Sequence, residues 1–137
     1  MRLKESELRK VIRSWPEYDA GMITFIEPGK GSDIGVSDCL LTMDGRLVPL
    51  ELKRGSDVLS QLRPSQRAWH RDQLANGVDT FGLTLVDTAH VKLFKVELTG
   101  GRLGNLRQSF LKSWESTEDV SFGQLIDVIR AQYGGTL

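Results

Sequence analysis

The sequence predicts an α/β fold: a single domain in which a mixed central sheet is flanked by helices. Segments with helical spacing of apolar residues alternate with short strand-like runs, in the order helix, three strands, helix, two strands, helix. A length of 137 residues suits one domain. We therefore expect residues 1–137 to form one domain, with a core at about 5–98 and a C-terminal extension at 99–137 that ends in a helix.

The first half of the chain predicts a helix followed by three strands. The apolar stripe of the helix consists of Leu8, Val11, Ile12 and Trp15. Pro16 ends this helix, and a strand is expected at 22–27, before a loop rich in glycine and proline at 27–35. The runs DCLLTM and RLVPLELK flank Asp44-Gly45, which is the strongest short-range signal for a β-hairpin.

The second half predicts a helix, two strands and a final helix. The helix begins at Pro64 and ends at Asn76-Gly77, because proline suits a first helical turn and glycine a helix end. Strands are expected at 81–86 and 91–98. Ser121 begins the last helix and Gly134-Gly135 ends it. No element is assigned to residues 104–119.

Composition excludes several classes of protein. The 18 basic and 18 acidic residues balance, which argues against a strongly basic nucleic-acid binder. A single cysteine allows no internal disulfide, and no Cys/His set has the spacing of a zinc site. No apolar run approaches the ~20 residues that span a bilayer, and the charged N-terminus does not resemble a signal peptide. We therefore expect a cytoplasmic location.

The predicted hairpin places three polar side chains on one face of the sheet. With a two-residue turn at 44–45, Asp38 faces Glu51, and opposite residues have Cβ atoms about 4.5–5.5 Å apart. Lys53 lies two residues beyond Glu51 and projects from the same face. The other face is apolar and carries Cys39, Leu41, Met43, Val48, Leu50 and Leu52. Cys39 is therefore expected to be an inert buried thiol.

This arrangement of Asp38, Glu51 and Lys53 predicts a catalytic site. Two carboxylates opposed across strands repel each other unless a charge compensates them, and Mg²⁺ binds one or two carboxylates together with water. A lysine beside the metal would polarise or deprotonate an attacking water, or stabilise charge on a phosphate. These residue types thus indicate a metal-assisted phosphodiesterase. On spacing alone, the alternative is a solvated face with ordinary ion pairs.

The same residues resemble the motifs of the PD-(D/E)XK nuclease superfamily. The acidic motif is Gly35-Val36-Ser37-Asp38 and the E-x-K motif is Glu51-Leu52-Lys53. The segment LRPSQRAWH at 62–70, followed by Gly77 and the run FGLTLV, is similar to small stand-alone phage and prophage nucleases of the VRR-NUC type, relatives of Holliday-junction resolvases. Ser37 departs from that pattern, which usually has proline there. The resemblance covers about residues 22–98 and implies the αβββαβ core of restriction endonucleases.

The resemblance implies a role for each matching residue. Asp38, Glu51 and the backbone carbonyl of Leu52 would bind Mg²⁺ or Mn²⁺, and Lys53 would be the catalytic lysine. Gln66 matches a polar position that faces the site in these families. The alternative for Gln66 is a capping or surface glutamine.

An upstream acid often completes such sites, and the sequence offers several candidates. Glu27 fits the phage-type pattern, in which a glutamate precedes the glycine-rich loop. Glu7 fits the general superfamily, in which the acid comes from the first helix, and Glu5 is a neighbouring candidate. Asp33 is less favoured, and any of the four is also compatible with a solvated side chain.

Basic residues near the predicted site suggest contacts with DNA. Arg63, Arg67 and Arg71 recur every four residues and form one helical stripe, which suits phosphate contacts but is equally typical of a solvated face. Arg54 adds to the local excess of positive charge. Lys30 lies in the glycine-rich loop, which either allows a phosphate to approach the backbone or is a flexible turn.

Together these observations predict a metal-dependent DNA endonuclease that hydrolyses phosphodiester bonds by attack of water. The resemblance adds phage or prophage DNA processing, a preference for branched or structured DNA, and a homodimer joined through the first or last helix. The alternative is a non-catalytic module that binds nucleic acid or a protein partner and retains the nuclease fold. The presence of Asp38, Glu51 and Lys53 favours the enzyme, because a degenerate copy usually loses one of them.

Overall fold

The computed structural model describes residues 6–26, 35–101 and 104–133. The helices are α1 (Ser6–Arg13), α2 (Pro16–Asp19), α3 (Pro64–Ala75) and α4 (Phe122–Ala131), with 3-10 helices at Leu59–Gln61 and Thr117–Asp119. The strands are β1 (Ile23–Phe25), β2 (Cys39–Met43), β3 (Arg46–Arg54), β4 (Thr80–Leu85), β5 (Val91–Thr99) and β6 (Asn105–Trp114). No helix in these described ranges is long and apolar enough to cross a membrane.

The six strands form one sheet in the order β1-β2-β3-β4-β5-β6. All neighbouring strands are antiparallel except β3 and β4, which are parallel and are connected through α3. A parallel pair needs such a crossover because a tight turn can join only antiparallel strands. The predicted α/β class, with a mixed sheet flanked by helices, is confirmed.

The β2–β3 hairpin has the predicted register. Met43 pairs with Arg46 and Leu41 with Val48, around a turn in which Asp44 and Gly45 have φ values of 47° and 76°. Positive φ at both central residues gives the turn the twist that the flanking strands require. This register assigns alternate residues of β3 to opposite faces of the sheet.

The two faces of the sheet have different coverings. The first, the apolar face, contributes Val48, Leu50 and Leu52 of β3 and Phe81, Leu83 and Leu85 of β4 to a core that also contains side chains of α1 and α4. The second, the α3 face, carries Glu51 and Lys53 of β3 and Thr80, Gly82 and Thr84 of β4. Side chains of α3 and the segment before it contact this face.

Strand β6 is a correction to the sequence analysis, which assigns no element to residues 104–119. Its 10 residues are mostly exposed or half-buried, and a register shift against β5 between Leu93 and Phe94 interrupts the alternation of side chains. An exposed edge strand with a bulge has little period-two pattern to detect. The last helix begins as predicted, since the Ser121 hydroxyl accepts a hydrogen bond from Gln124 N–H. Strand β6 and helix α4 therefore complete the sheet and the core.

Candidate active site

Asp38 directly precedes Cys39, the first paired residue of β2, and lies against the E-x-K segment. Its Oδ2 accepts a hydrogen bond of 2.7 Å from the backbone N–H of Leu52. Its Oδ1 accepts a charge-assisted hydrogen bond of 2.7 Å from the Arg9 guanidinium of α1. The hairpin therefore brings Asp38 next to Leu52, the residue that follows Glu51.

Glu51 is a fully buried carboxylate in the middle of the sheet. It lies on β3 beside Gly82 of β4, and its side chain has no exposed surface. Its Oε1 is 3.1 Å from Nε2 of His70 on α3. A buried carboxylate is retained only where polar groups compensate it, because the loss of hydration is costly. Helix α3 thus covers Glu51, which is not a solvated surface side chain.

Lys53 and Gln66 are brought together, as expected for a glutamine that faces the site. Lys53 Nζ donates a hydrogen bond of 2.9 Å to Oε1 of Gln66. The same oxygen accepts a bond of 2.9 Å from the backbone N–H of Arg63 at the start of α3. Both interpretations of Gln66 therefore hold at once: it caps its own helix and it positions the lysine.

His70 is a buried polar residue whose place in the site the sequence analysis misses. Its Nδ1 is 2.8 Å from the Thr80 hydroxyl, on the side of the ring opposite Glu51. Burial lowers the pKa of His70 to about 4, and the positive charge of Lys53 acts in the same direction. Burial therefore favours the uncharged form of the imidazole. The available signal is its spacing, since His70 lies four residues after Gln66 on one helix face.

Arg9 is the second residue that the sequence analysis misses. The sequence offers Glu7 of the first helix as one candidate acid, but α1 directs the Arg9 cation to Asp38. Glu7 lies 3.8 Å from Lys10 on the exposed side of α1, a placement that gives no support to Glu7 as the third acid. Glu27 and the other candidates, which are Glu5 and Asp33, lie outside the described residues.

The loop that leads into Asp38 makes a close contact with α3. Gly35 has a φ of 71°, and a Cβ at this position would lie 2.1 Å from the backbone oxygen of Ser65. Only glycine fits such an approach. Ser37 is buried two residues later. The first residue of the acidic motif thus fixes the distance between the Asp38 loop and the beginning of α3.

The donor set at Asp38 and Glu51 suits a hard divalent cation. Leu52 N–H points towards Asp38, and in an antiparallel strand the carbonyl of one residue points to the same edge as its N–H. Two carboxylates and a backbone carbonyl are the oxygen ligands that Mg²⁺ and Mn²⁺ prefer. Among the described residues, no group of three or more His, Cys, Asp or Glu side chains is placed to hold a metal. An ion held by this set would therefore need water molecules to complete its coordination.

The arginine stripe of α3 is partly used for structure. The Arg67 guanidinium donates a bond of 2.7 Å to the carbonyl of Leu59, and Arg71 Nε donates one of 3.2 Å to the carbonyl of Gly104. These contacts attach α3 to the preceding 3-10 helix and to the β5–β6 connection. Arg63 and Arg54 are exposed. Lys30 lies outside the described residues.

Cys39 lies on the apolar face, as predicted. It has no exposed surface, and its Sγ is 3.6 Å from the Leu50 carbonyl. Burial raises the pKa of the thiol, and the nearby negative charge of Asp38 raises it further. The thiol therefore stays protonated and unreactive, which separates it from the chemistry of the other face.

The geometry described above can be compared with known proteins. No family model, curated protein or solved structure matches the chain at significant similarity. The fold and the side chains of the α3 face are therefore the basis for a functional proposal. They define an α/β domain with a buried acid, a lysine and a histidine around one end of a hairpin.

Proposed function

We propose that this chain is a metal-dependent DNA endonuclease that hydrolyses phosphodiester bonds. One observation carries the proposal: Asp38, Glu51 and Lys53 lie around the same end of the hairpin, and a second element, α3, holds both Glu51 and Lys53. Ordinary surface ion pairs are exposed and loosely held. A fully buried glutamate beside a lysine with a dedicated partner is more typical of a site with perturbed, positioned groups.

Each residue has a role in this proposal. Asp38, Glu51 and the Leu52 carbonyl hold the divalent cation, which when bound activates water and polarises the phosphoryl oxygen. Lys53, fixed by Gln66, donates to the phosphate and stabilises the negative charge that develops on it. Water oxygen bonds to phosphorus, the bond to the leaving oxygen breaks, and the leaving oxygen takes up a proton. The products are a phosphate monoester and a hydroxyl end.

Contacts with DNA belong to the same proposal. Arg54 and Arg63 are exposed at the two ends of the segment that joins β3 to α3, so both can reach a phosphate. Arg67 and Arg71 are already bonded within the protein and are weaker candidates. A preference for branched DNA and action as a homodimer are further parts of the proposal, supported by the motif resemblance.

Cleavage assays test the activity. Labelled four-way-junction, flap, single-stranded and linear duplex DNA are incubated with Mg²⁺, Mn²⁺ or EDTA. We expect metal-dependent cutting that falls at least ~100-fold in Glu51→Gln and Lys53→Met, the range for loss of a positioned acid–base or electrostatic group. The matched controls are Glu115→Gln and Lys112→Met, two exposed side chains of β6 and the turn that follows it. Full activity in Lys53→Met would contradict the assigned role.

A specific observation favours a second candidate, the non-catalytic DNA-binding module. Both oxygens of Asp38 already have protein partners, and one of these partners is the Arg9 cation. An internal cation can compensate the carboxylate charge without a metal. In this case the protein would bind the same DNA panel, with or without EDTA, and cut none of it. An Arg9→Gln variant would then lose stability without any change in metal dependence.

A further inference from the structure

The inference concerns how the buried carboxylate of Glu51 is oriented, and it rests on the proposed metal site. Glu51 and Lys53 are two residues apart on β3, which separates them by about 6.6 Å along the strand. His70 and Gln66 are four residues apart on α3, which separates them by about 6.0 Å along the helix. The two spacings match, so one helix face contacts both site residues of the strand at once.

The contacts between α3 and β3 agree with these matching spacings. Gln66 accepts a hydrogen bond from Lys53 at 2.9 Å, and His70 Nε2 lies 3.1 Å from Glu51 Oε1. The earlier residue of the strand meets the later residue of the helix, so α3 runs antiparallel to β3 at the site. A shift of α3 by one residue would break both contacts, because neighbouring helical residues point in different directions.

The second ring nitrogen of His70 also has a partner. Thr80, on the adjacent strand β4, lies 2.8 Å from Nδ1. Glu51 and Thr80 therefore contact the two ring nitrogens from opposite sides and fix the orientation of the ring. Both ring nitrogens and the whole ring are enclosed, since His70 has no exposed surface.

We propose that His70, oriented by Thr80, is a positioning residue that sets the direction of the Glu51 carboxylate towards the metal. His70 does not bind the metal in this arrangement, because neither ring nitrogen is available to it. Partners of this kind around metal ligands typically contribute 10–100-fold to metal affinity. The role differs from simple packing, which would stabilise the fold without changing the affinity of the folded protein for a cation.

Two variants of His70 test the proposal on the full chain. His70→Leu removes the donor to Glu51, whereas His70→Gln retains an amide donor near the Nε2 position. Mn²⁺ affinity is measured by calorimetry on the folded protein without DNA, and unfolding is followed separately. We expect ~10–100-fold weaker Mn²⁺ binding in His70→Leu and recovery of most of the affinity in His70→Gln. The matched control is His90→Gln at the exposed β4–β5 turn, which should bind Mn²⁺ as the wild type does.

A second measurement remains decisive if His70→Leu does not fold. Thr80→Val keeps the imidazole but removes its second partner, and it should bind Mn²⁺ more weakly than the wild type. Wild-type affinity in folded His70→Leu, or in folded Thr80→Val, would overturn the positioning role. A wild type that neither binds Mn²⁺ nor cuts DNA would instead overturn the proposed function, and the positioning role with it.

Discussion

The two faces of the sheet are formed by the same strands but differ in the side chains that they bury. On the apolar face, Leu50 and Leu52 of β3 pack into a continuous core with apolar side chains of α1 and α4. On the α3 face, Glu51 and Lys53 alternate with those leucines and meet Gln66 and His70. One face supplies the burial that holds the domain together.

The α3 face is buried but polar, which is the more informative difference. Its apolar cluster is small and consists of Val58, Leu62, Phe94 and Val96. Beside that cluster, the buried polar residues of this face are Glu51, Gln66, His70, Thr80 and Thr84. Buried polar groups lower stability unless they are hydrogen-bonded, so a fold optimised only for stability would not contain them. The comparison shows that one face is held by apolar packing and that the other buries a set of polar contacts.

The largest effect should come from the apolar face. Leu50→Ala removes a fully buried side chain between Cys39 and Phe81 on the neighbouring strands. The expected loss is about 2–5 kcal/mol in the free energy of unfolding, from lost burial and the cavity that remains. Urea unfolding followed by tryptophan fluorescence measures it, because Trp15 and Trp114 lie in this core. A loss below about 1 kcal/mol would mean that the core is not continuous there.

The next effect tests how closely the α3 face is covered. Gly82 lies beside Glu51, and a Cβ at this position would be 2.4 Å from Cγ2 of Val58. Gly82→Ala should therefore destabilise the protein by about 1–3 kcal/mol, the usual range for overpacking. The double variant with Val58→Ala should recover part of this loss, since it removes the clashing methyl groups. Strictly additive effects in the double-mutant cycle would show that the two positions do not contact each other.

A change of opposite sign is expected at Thr84. Its side chain is buried opposite Lys53, and its hydroxyl has no hydrogen-bond partner among the described residues. Thr84→Val replaces a costly polar group by a methyl group of similar shape. We expect no loss of stability and a gain of up to about 1 kcal/mol in chemical unfolding. A clear destabilisation would reveal that the hydroxyl is needed on this face.

The smallest effect should come from a turn outside both faces. Asp87 accepts hydrogen bonds from the backbone N–H groups of Ala89 and His90 and lies 2.7 Å from His90 Nδ1. These contacts, led by the Ala89 N–H, lower the pKa of Asp87 from 3.8 to about 2. A carboxylate with a lowered pKa stabilises the folded state above pH 3.8, and this contribution is lost as the pH falls towards 2. Asp87→Asn should remove that slope from the pH dependence of unfolding, with little change to either face.

The candidate site could be predicted from the sequence only where local geometry decides it. The relative positions of Asp38, Glu51 and Lys53 can be derived from a two-residue turn and a strand period of two. Both features depend on residues that are close together in the sequence. His70 and Arg9 do not follow in this way. Their contacts join residues 19 and 29 positions apart in the chain, respectively, and no repeat of the sequence links these segments.

The sequence by itself determined the hairpin, its register and the ends of α3. Turn chemistry, proline and glycine act on dihedral angles close to themselves, so their consequences can be derived residue by residue. Only the tertiary structure decided that α3 lies antiparallel across β3, that His70 meets Glu51 and that Arg9 meets Asp38. These contacts depend on the parallel β3–β4 pairing and on how α1 packs on the opposite face. Contacts between segments that are distant in the sequence are determined by how the whole chain buries its apolar surface, rather than by any short segment.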